Sequence, residues 1–527
     1  MTFDLVLAGG TVVDGTGHPG YRADVGVSGE TIAAIGDLGR AEARRAIDAT
    51  GLVVAPGFID PHTHAEGALL TDPQLAMALR QGITTLFLGI DGMSYAPLSA
   101  AGYRVYRRWL AGLLGEPPED LDMSSVAAFR AHYHRKVALN TAYLVPFATV
   151  RLEVVGFHDV PLRGPALERA RRLVGEGLEQ GAVGLSTGSK YYPGPWGDTD
   201  ELIALCEPVR RAGAVYMCEP RSANLDRARG GSGVAEALEV ARRAGVRLHF
   251  AHYRTAPGTA GDLDAIMRLI DPARAEGLDV TFDVYPYPAG SSIAVSYLPG
   301  WAQEGGPDAI LHRLGDPDDR RRIARALDDD PSIPLGQLVC SYAGRDKTLE
   351  GMSLADLAAR RGATLGEALC DILRSEALAV GHVAAPPQSV ALWDQVSRDC
   401  MALLARPDYM VCSDITPAGR FPHPRSYGAF PRFLGRLRRA FGGLSVEAMV
   451  HRMTDRPARR FGLPRRGRIE RGAFADLVVF DADRVIDTAT YDDPRRFPVG
   501  IPFVVVNGQV AVDAERPTGV LAGQAVP

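Results

Sequence analysis

From about residue 57 to residue 464 the chain alternates apolar, strand-like runs with amphipathic helical stretches. The runs are PGFID, TTLFLGI, NTAYLVPF, AVGLST, AVYMCE, RLHFAH, LDVTFDVYPY and DYMVCSD. Between them, stretches such as GPALERARRLVGEGLEQ and GVAEALEVARRAG place apolar residues at i, i+3 and i+4. Strand–helix alternation repeated about eight times specifies a (β/α)8 TIM barrel. The two ends of the chain have a different texture. FDLVLAGG, TVVDGTG and ADVGVSGETIAAIG at the start, and GAFADLVVFDAD and FVVVNGQVAV at the end, are short alternating runs broken by glycine. We expect one small β-sandwich built from both termini, residues 1–56 and 465–527, around a barrel spanning 57–464. A polar, proline-rich stretch at about 288–347, with WAQEGGPD and DDRRRIARALDDD, reads as a subdomain inserted near the barrel mouth.

With 527 residues and 46% hydrophobic content, the chain can bury a large core. A net charge of −5 and no basic block of helix length argue against nucleic acid as a partner. No 18-residue apolar run occurs, and MTFDLVLAGG lacks the charged start of a signal peptide, so no membrane partner is expected. The six cysteines (Cys206, Cys218, Cys340, Cys370, Cys400 and Cys412) are scattered with no CxxC pair. They read as reduced thiols of a cytoplasmic protein. Homo-oligomerisation is left open.

Catalytic groups of a barrel sit at the C-terminal ends of its strands. The first run leads into PGFIDPHTH, where His62 and His64 are two residues apart and share a face if the segment is extended. The next ends at Asp91, a later one at Glu219, then LHFAHYR offers His252 and Arg254, and the last ends at Asp414. Any one of these is more often a turn former or helix cap. Six acidic or imidazole groups at the strand ends of one barrel instead suggest a centre for zinc or another divalent metal.

Longer stretches resemble a known family. PGFIDPHTH, the β-rich ends and an aspartate after the last strand are similar to the amidohydrolase superfamily. QGITTLFLGIDGMSYAP, EQGAVGLSTGSKYYPG, FDVYPYPAGSS, CSDITPAGRFPHPRSYGAFPRFLG and MTDRPARRFGLPRRGRIERGAFADLVVFD resemble the D-aminoacylases, the N-acyl-D-amino-acid deacylases. The resemblance implies His62 and His64 as a first metal pair, His252 as a ligand of a second position, and Asp414 as the catalytic aspartate. It implies that Arg425 binds a substrate carboxylate, that Arg254 stands where the family has a lysine for the same task, and that Tyr285 and Ser291 touch substrate. Two positions depart from the family: Asp91 replaces a cysteine and Glu219 replaces a histidine. Both still offer metal ligands, and Asp91 is suited to bridge two ions. Among only three lysines (Lys136, Lys190, Lys347), Lys190 alone lies near a strand end, so a carboxylated bridging lysine is not expected.

The expected protein is therefore a metal-dependent hydrolase of amide C–N bonds other than peptide bonds. It would hold one or two zinc ions, with manganese or another divalent metal as the alternative, and act on a small molecule carrying a carboxylate. Two other readings stand beside it: an enzyme opening or closing a cyclic or unusual amide, and a non-catalytic binder on a retired barrel. Three further signals are set aside. GLSTG (184–188) matches a serine-hydrolase elbow but has no accompanying triad order. His132 and His134 lie in a helical run, where residues two apart diverge by about 200°. Trp196 either walls a pocket or packs a loop.

Overall fold

The computed structural model describes residues 2–39, 41–188 and 190–527. Eight parallel strands form one sheet in chain order: β1 (Phe58–Asp60), β2 (Ile83–Leu88), β3 (Asn140–Pro146), β4 (Gly184–Thr187), β5 (Val215–Cys218), β6 (Arg247–Phe250), β7 (Val280–Val284) and β8 (Tyr409–Val411). The sheet closes where β8 meets β1. Thr63 forms a parallel bridge with Ile415, and the His64 amide donates to the Ile415 carbonyl at 2.9 Å. Asp60 fastens the same seam, accepting from the Ser413 amide at 3.0 Å and from its hydroxyl. Burial pushes the Asp60 carboxyl up to about 7 despite these bonds.

The barrel interior is packed rather than open. Ile59, Phe87, Ala142, Leu144, Val215, Met217 and Met410 meet there with Phe461 and Leu463, which follow the last barrel strand. At the chain ends, a four-stranded sheet from residues 3–48 faces a seven-stranded one, in which Leu477–Phe480 pairs antiparallel with Val53–Pro56. Leu5, Leu7, Val25 and Ile47 of the first sheet share a core with Val54, Leu477, Val479 and Val505 of the second.

The segment between β7 and β8 is longer than the 288–347 read from the sequence. It contains a three-stranded antiparallel sheet, Ser291–Ile293, Val380–Ala384 and Leu338–Ala343, with Val380–Ala384 in the middle. Helices Gly306–Gly315, Pro317–Asp328, Leu354–Arg361 and Leu365–Ser375 accompany it. The expected boundary at 347 thus falls between two of its strands. Leu365–Ser375 and Val380–Ala384 have the apolar periods of a barrel helix and strand, and period alone does not say which sheet a strand joins. All six cysteines are buried and unpaired. Among the described residues no helix is long and apolar enough to cross a membrane.

Candidate metal centre

The expected ligands emerge where the strands end, and three of them break the strand themselves. Asp91, His252 and Asp414 have φ of +54°, +33° and +54°, left-handed values that cost a non-glycine residue about 1–3 kcal/mol. Local hydrogen bonds hold each bend. The Asp414 amide donates to the His62 carbonyl at 3.0 Å, and the His252 amide donates to Asp283 Oδ1 at 2.6 Å. Around Asp91, Ser186 accepts from the Gly92 amide at 3.0 Å and donates to the Gly89 carbonyl. The serine of GLSTG is therefore a buried brace for the Asp91 turn. Its neighbour Gly188 has to be glycine, since a Cβ there would lie 2.0 Å from the Asp91 carbonyl oxygen.

Asp91 Oδ2 lies 3.2 Å from His62 Nε2, 3.4 Å from His64 Nε2 and 3.8 Å from His252 Nε2. Asp414 Oδ1 lies 3.6 Å from His62 Nε2 and 3.4 Å from His64 Nε2. Tetrahedral ligands with bonds of about 2.0–2.1 Å stand about 3.3–3.4 Å from one another. These nitrogen–oxygen separations are close to those edges. A second group, Asp91, Glu219 and His252, also brings its donor atoms within 4.8 Å of one another, so Asp91 belongs to both. Asp91 Oδ1 and Asp414 Oδ1 are buried without a hydrogen-bond partner. An unpaired buried carboxylate oxygen is costly, and a divalent cation would satisfy it. The residues fit a metal.

The electrostatics agree. Burial opposes charge on the imidazoles, but Asp91 and Asp414 overcome it, raising His62 well above the ordinary range and His64 to about 9. Burial likewise works against the carboxylates. Arg425 and the imidazoles nonetheless hold Asp414 well below its usual range, and His62 does the same for Asp91. Without metal the cluster is a buried ion network whose protons a cation must displace. Asp283, on β7, was not singled out from sequence. Besides bracing His252, its Oδ2 accepts from His249 Nε2 at 2.9 Å and sits 3.7 Å from His62 Nδ1, an electrostatic contact too long for a hydrogen bond. A carboxylate inside the apolar run VTFDV is the signal that could have found it.

Arg425 opens a helix (Arg425–Pro431) after the last barrel strand and is almost fully buried. Its Nη1 donates to Asp414 Oδ2 at 2.7 Å, while Nε and Nη2 have no partner. Those two N–H groups form one edge of the guanidinium, the edge that grips a carboxylate with parallel bonds. The Arg425 amide donates to His423 Nδ1 at 3.1 Å, which leaves Nε2–H to donate to the Ala289 carbonyl at 3.0 Å. Tyr285 lies beneath, its ring centroid 4.6 Å from the Arg425 guanidinium carbon.

Arg254 reaches the cavity wall through Tyr285, another of the expected substrate contacts. It does not line the cavity: Nη2 donates to the Tyr285 hydroxyl at 2.9 Å and Nη1 to the Thr255 carbonyl at 3.0 Å. Its branched head is captured behind Tyr285. Ser291 does line the cavity, with its hydroxyl donating to the His382 carbonyl at 2.8 Å.

The cavity holds about 220 Å3, below the roughly 300–1,000 Å3 of drug-sized sites. His64, Asp91, Glu219, His252, Asp414 and Arg425 face it, and Lys190, Tyr191, Tyr297 and His382 complete much of the wall. Trp196 is not part of that wall and packs against Tyr192 at 4.9 Å. His132 is half-buried and bonds the Asp122 carbonyl, and His134 is exposed and caps the same helix.

The amidohydrolase family matches residues 45–141 and 220–512. N-acyl-D-glutamate deacylase of Alcaligenes xylosoxydans xylosoxydans is 36% identical, covering 96% of this chain and 93% of that protein. The chain belongs to the D-aminoacylase family of amidohydrolases. D-aminoacylase of the same organism is 32% identical, with 99% of this chain and 97% of that one covered. A solved structure of N-acyl-D-glutamate deacylase from Bordetella bronchiseptica, complexed with zinc and a phosphonate inhibitor mimicking the tetrahedral intermediate, superposes with a TM-score of 0.82. It is 32% identical, and both chains are covered completely. This amidohydrolase carries Asp91 and Glu219 within the same fold as those relatives.

Proposed function

We infer that the protein hydrolyses the amide bond of N-acyl-D-amino acids with the help of zinc. The observation that carries this is a juxtaposition: His62 and His64 each lie 3.2–3.6 Å from both Asp91 and Asp414, and Arg425, which holds Asp414 through Nη1, keeps Nε and Nη2 without a partner. The D configuration and the zinc rest on likeness to the deacylases named above. His62 and His64 with Asp91 hold the first ion, and Glu219 and His252 offer a second place that shares Asp91. Bound there, zinc would lower the pKa of water toward ~7 and polarise the amide carbonyl. Arg425 grips the substrate carboxylate by its free edge over the Tyr285 ring, with Ser291 alongside, and Arg254 positions Tyr285. Asp414, its Oδ2 fixed by Arg425, takes the proton of the attacking water through Oδ1 and delivers it to the leaving nitrogen. The C–N bond breaks, yielding a carboxylic acid and a free amino acid.

The test is acid and amine release from N-acetyl-D-amino acids and their L enantiomers by protein whose metal content has been measured. We expect turnover of the D series by the zinc-loaded protein. No release from any N-acyl-amino acid after loading with zinc or manganese overturns the reading.

A further inference from the structure

His382 is the anomaly of the cavity wall. It lies on Val380–Ala384, the middle strand of the inserted sheet, and the residue is 4% exposed. Neither ring nitrogen has a hydrogen-bond partner. Among the described residues the other buried histidines are engaged. His249 bonds Thr281 and Asp283, His423 bonds the Arg425 amide and the Ala289 carbonyl, and His62 and His64 approach Asp91 and Asp414. A buried polar group without a partner is costly, and a ligand entering the cavity that His382 lines could satisfy it.

Two neighbours say what that ligand carries. Tyr297 packs on the His382 ring with centroids 5.1 Å apart, and Lys190 Nζ lies 4.1 Å from the Tyr297 centroid. All three line the cavity that contains the metal-ligand cluster. Lys190 has no carboxylate at ion-pair distance among the described residues, whereas Lys347, also over a tyrosine, pairs with Glu350. A cation held only by a ring face is free to take a stronger anionic partner. Burial and the nearby ammonium keep His382 uncharged, so its ring has one N–H to donate.

We propose that Lys190 and His382 bind a second carboxylate of the substrate, that of an acidic side chain, while Arg425 holds the first. This rests on the deacylase reading above and assigns its substrate class: N-acyl-D-amino acids of the glutamate or aspartate type. Lys190 supplies the charge and His382 one directed hydrogen bond, and both pack against Tyr297.

The test compares kcat/KM for N-acetyl-D-glutamate with that for N-acetyl-D-glutamine, which has the same shape and no charge. The wild-type ratio is expected to exceed about tenfold, and Lys190→Met to lower it at least about tenfold. General damage to the enzyme divides out of the ratio, and Lys190→Arg should keep most of the preference. A wild type with no preference for glutamate, or a Lys190→Met ratio equal to the wild-type one, overturns the proposal while turnover of neutral substrates leaves the deacylase reading standing. If Lys190→Met instead changes the ratio of N-succinyl-D-alanine to its uncharged N-valeryl counterpart, the carboxylate belongs to the acyl group and the side-chain assignment is overturned. No turnover of any N-acyl-amino acid removes both.

Discussion

Arg425 donates from Nη1 to Asp414 Oδ2 across 2.7 Å, so one guanidinium in the cavity wall fixes that carboxylate and keeps its other edge unpartnered. In the proposed mechanism, clamp and proton carrier are thereby mechanically joined. Lysine at 425 would keep a positive charge but lose the planar fork. Arg425→Lys is expected to raise KM for N-acyl-D-amino acids at least about tenfold and to lower kcat as well, because Asp414 loses its orientation. A rise in KM with kcat untouched would show that the two functions are independent.

Asp414→Asn removes the proton acceptor but retains the shape. It should lower kcat by at least about 10² while metal analysis still finds zinc, since His62, His64 and Asp91 remain. Should kcat hold at the wild-type value, proton transfer passes to another carboxylate, with Glu219, which faces the same cavity, next in line.

The cluster also makes a prediction about pH. His64 has a folded-state value of about 9 against 6.5, with Asp414 and Asp91 overcoming the effect of burial. Its protonation therefore stabilises the metal-free fold fully below pH 6.5, and that contribution is lost as pH rises through about 9. Each unit of such a shift corresponds to about 1.4 kcal/mol. Zinc takes the imidazoles unprotonated, so loading should release protons, and affinity should climb across the same window. His62→Ala and His64→Ala should each abolish stoichiometric zinc. Melting temperatures from pH 6 to 9 for chelator-treated and zinc-loaded protein provide the check. Parallel curves, with no proton release on titration with zinc, would contradict the ion-network description.

Much of this is legible in the sequence, for identifiable reasons. The barrel follows from a period that switches between two and 3.6, and the ligand positions follow because barrel strand ends are marked by where apolar runs stop. His62, Asp91, Glu219, His252 and Asp414 all stand at such stops. The inserted wall is not legible in that way. His382 lies 100 residues after Phe282 has already paired in β7, on a strand whose composition is that of a barrel strand. Asp283 hides within a strand rather than at its end. Arg254 occupies an expected position in the chain, and its bond to the Tyr285 hydroxyl is one that only the folded geometry brings about. Sequence spacing locates backbone. It does not tell which partner a long side chain reaches first.

The departures at Asp91 and Glu219 lead to the last prediction. With Asp91 shared between the two groups of donors and Glu219 in the second, that second place offers two carboxylates and one imidazole. Oxygen-rich sites favour harder ions, so manganese should compete with zinc there more effectively than at the His62 and His64 position. Asp91→Cys and Glu219→His, singly and together, convert oxygen donors to sulfur and nitrogen. Zinc affinity should rise along that series and the advantage of manganese should shrink. The two effects should not add, because Asp91 and Glu219 surround the same His252 nitrogen, with Oδ2 at 3.8 Å and Oε1 at 3.9 Å. Titrations of zinc and manganese into the four proteins of the cycle measure both the order and the coupling. Equal affinities and equal metal preference in all four would mean that neither carboxylate touches metal.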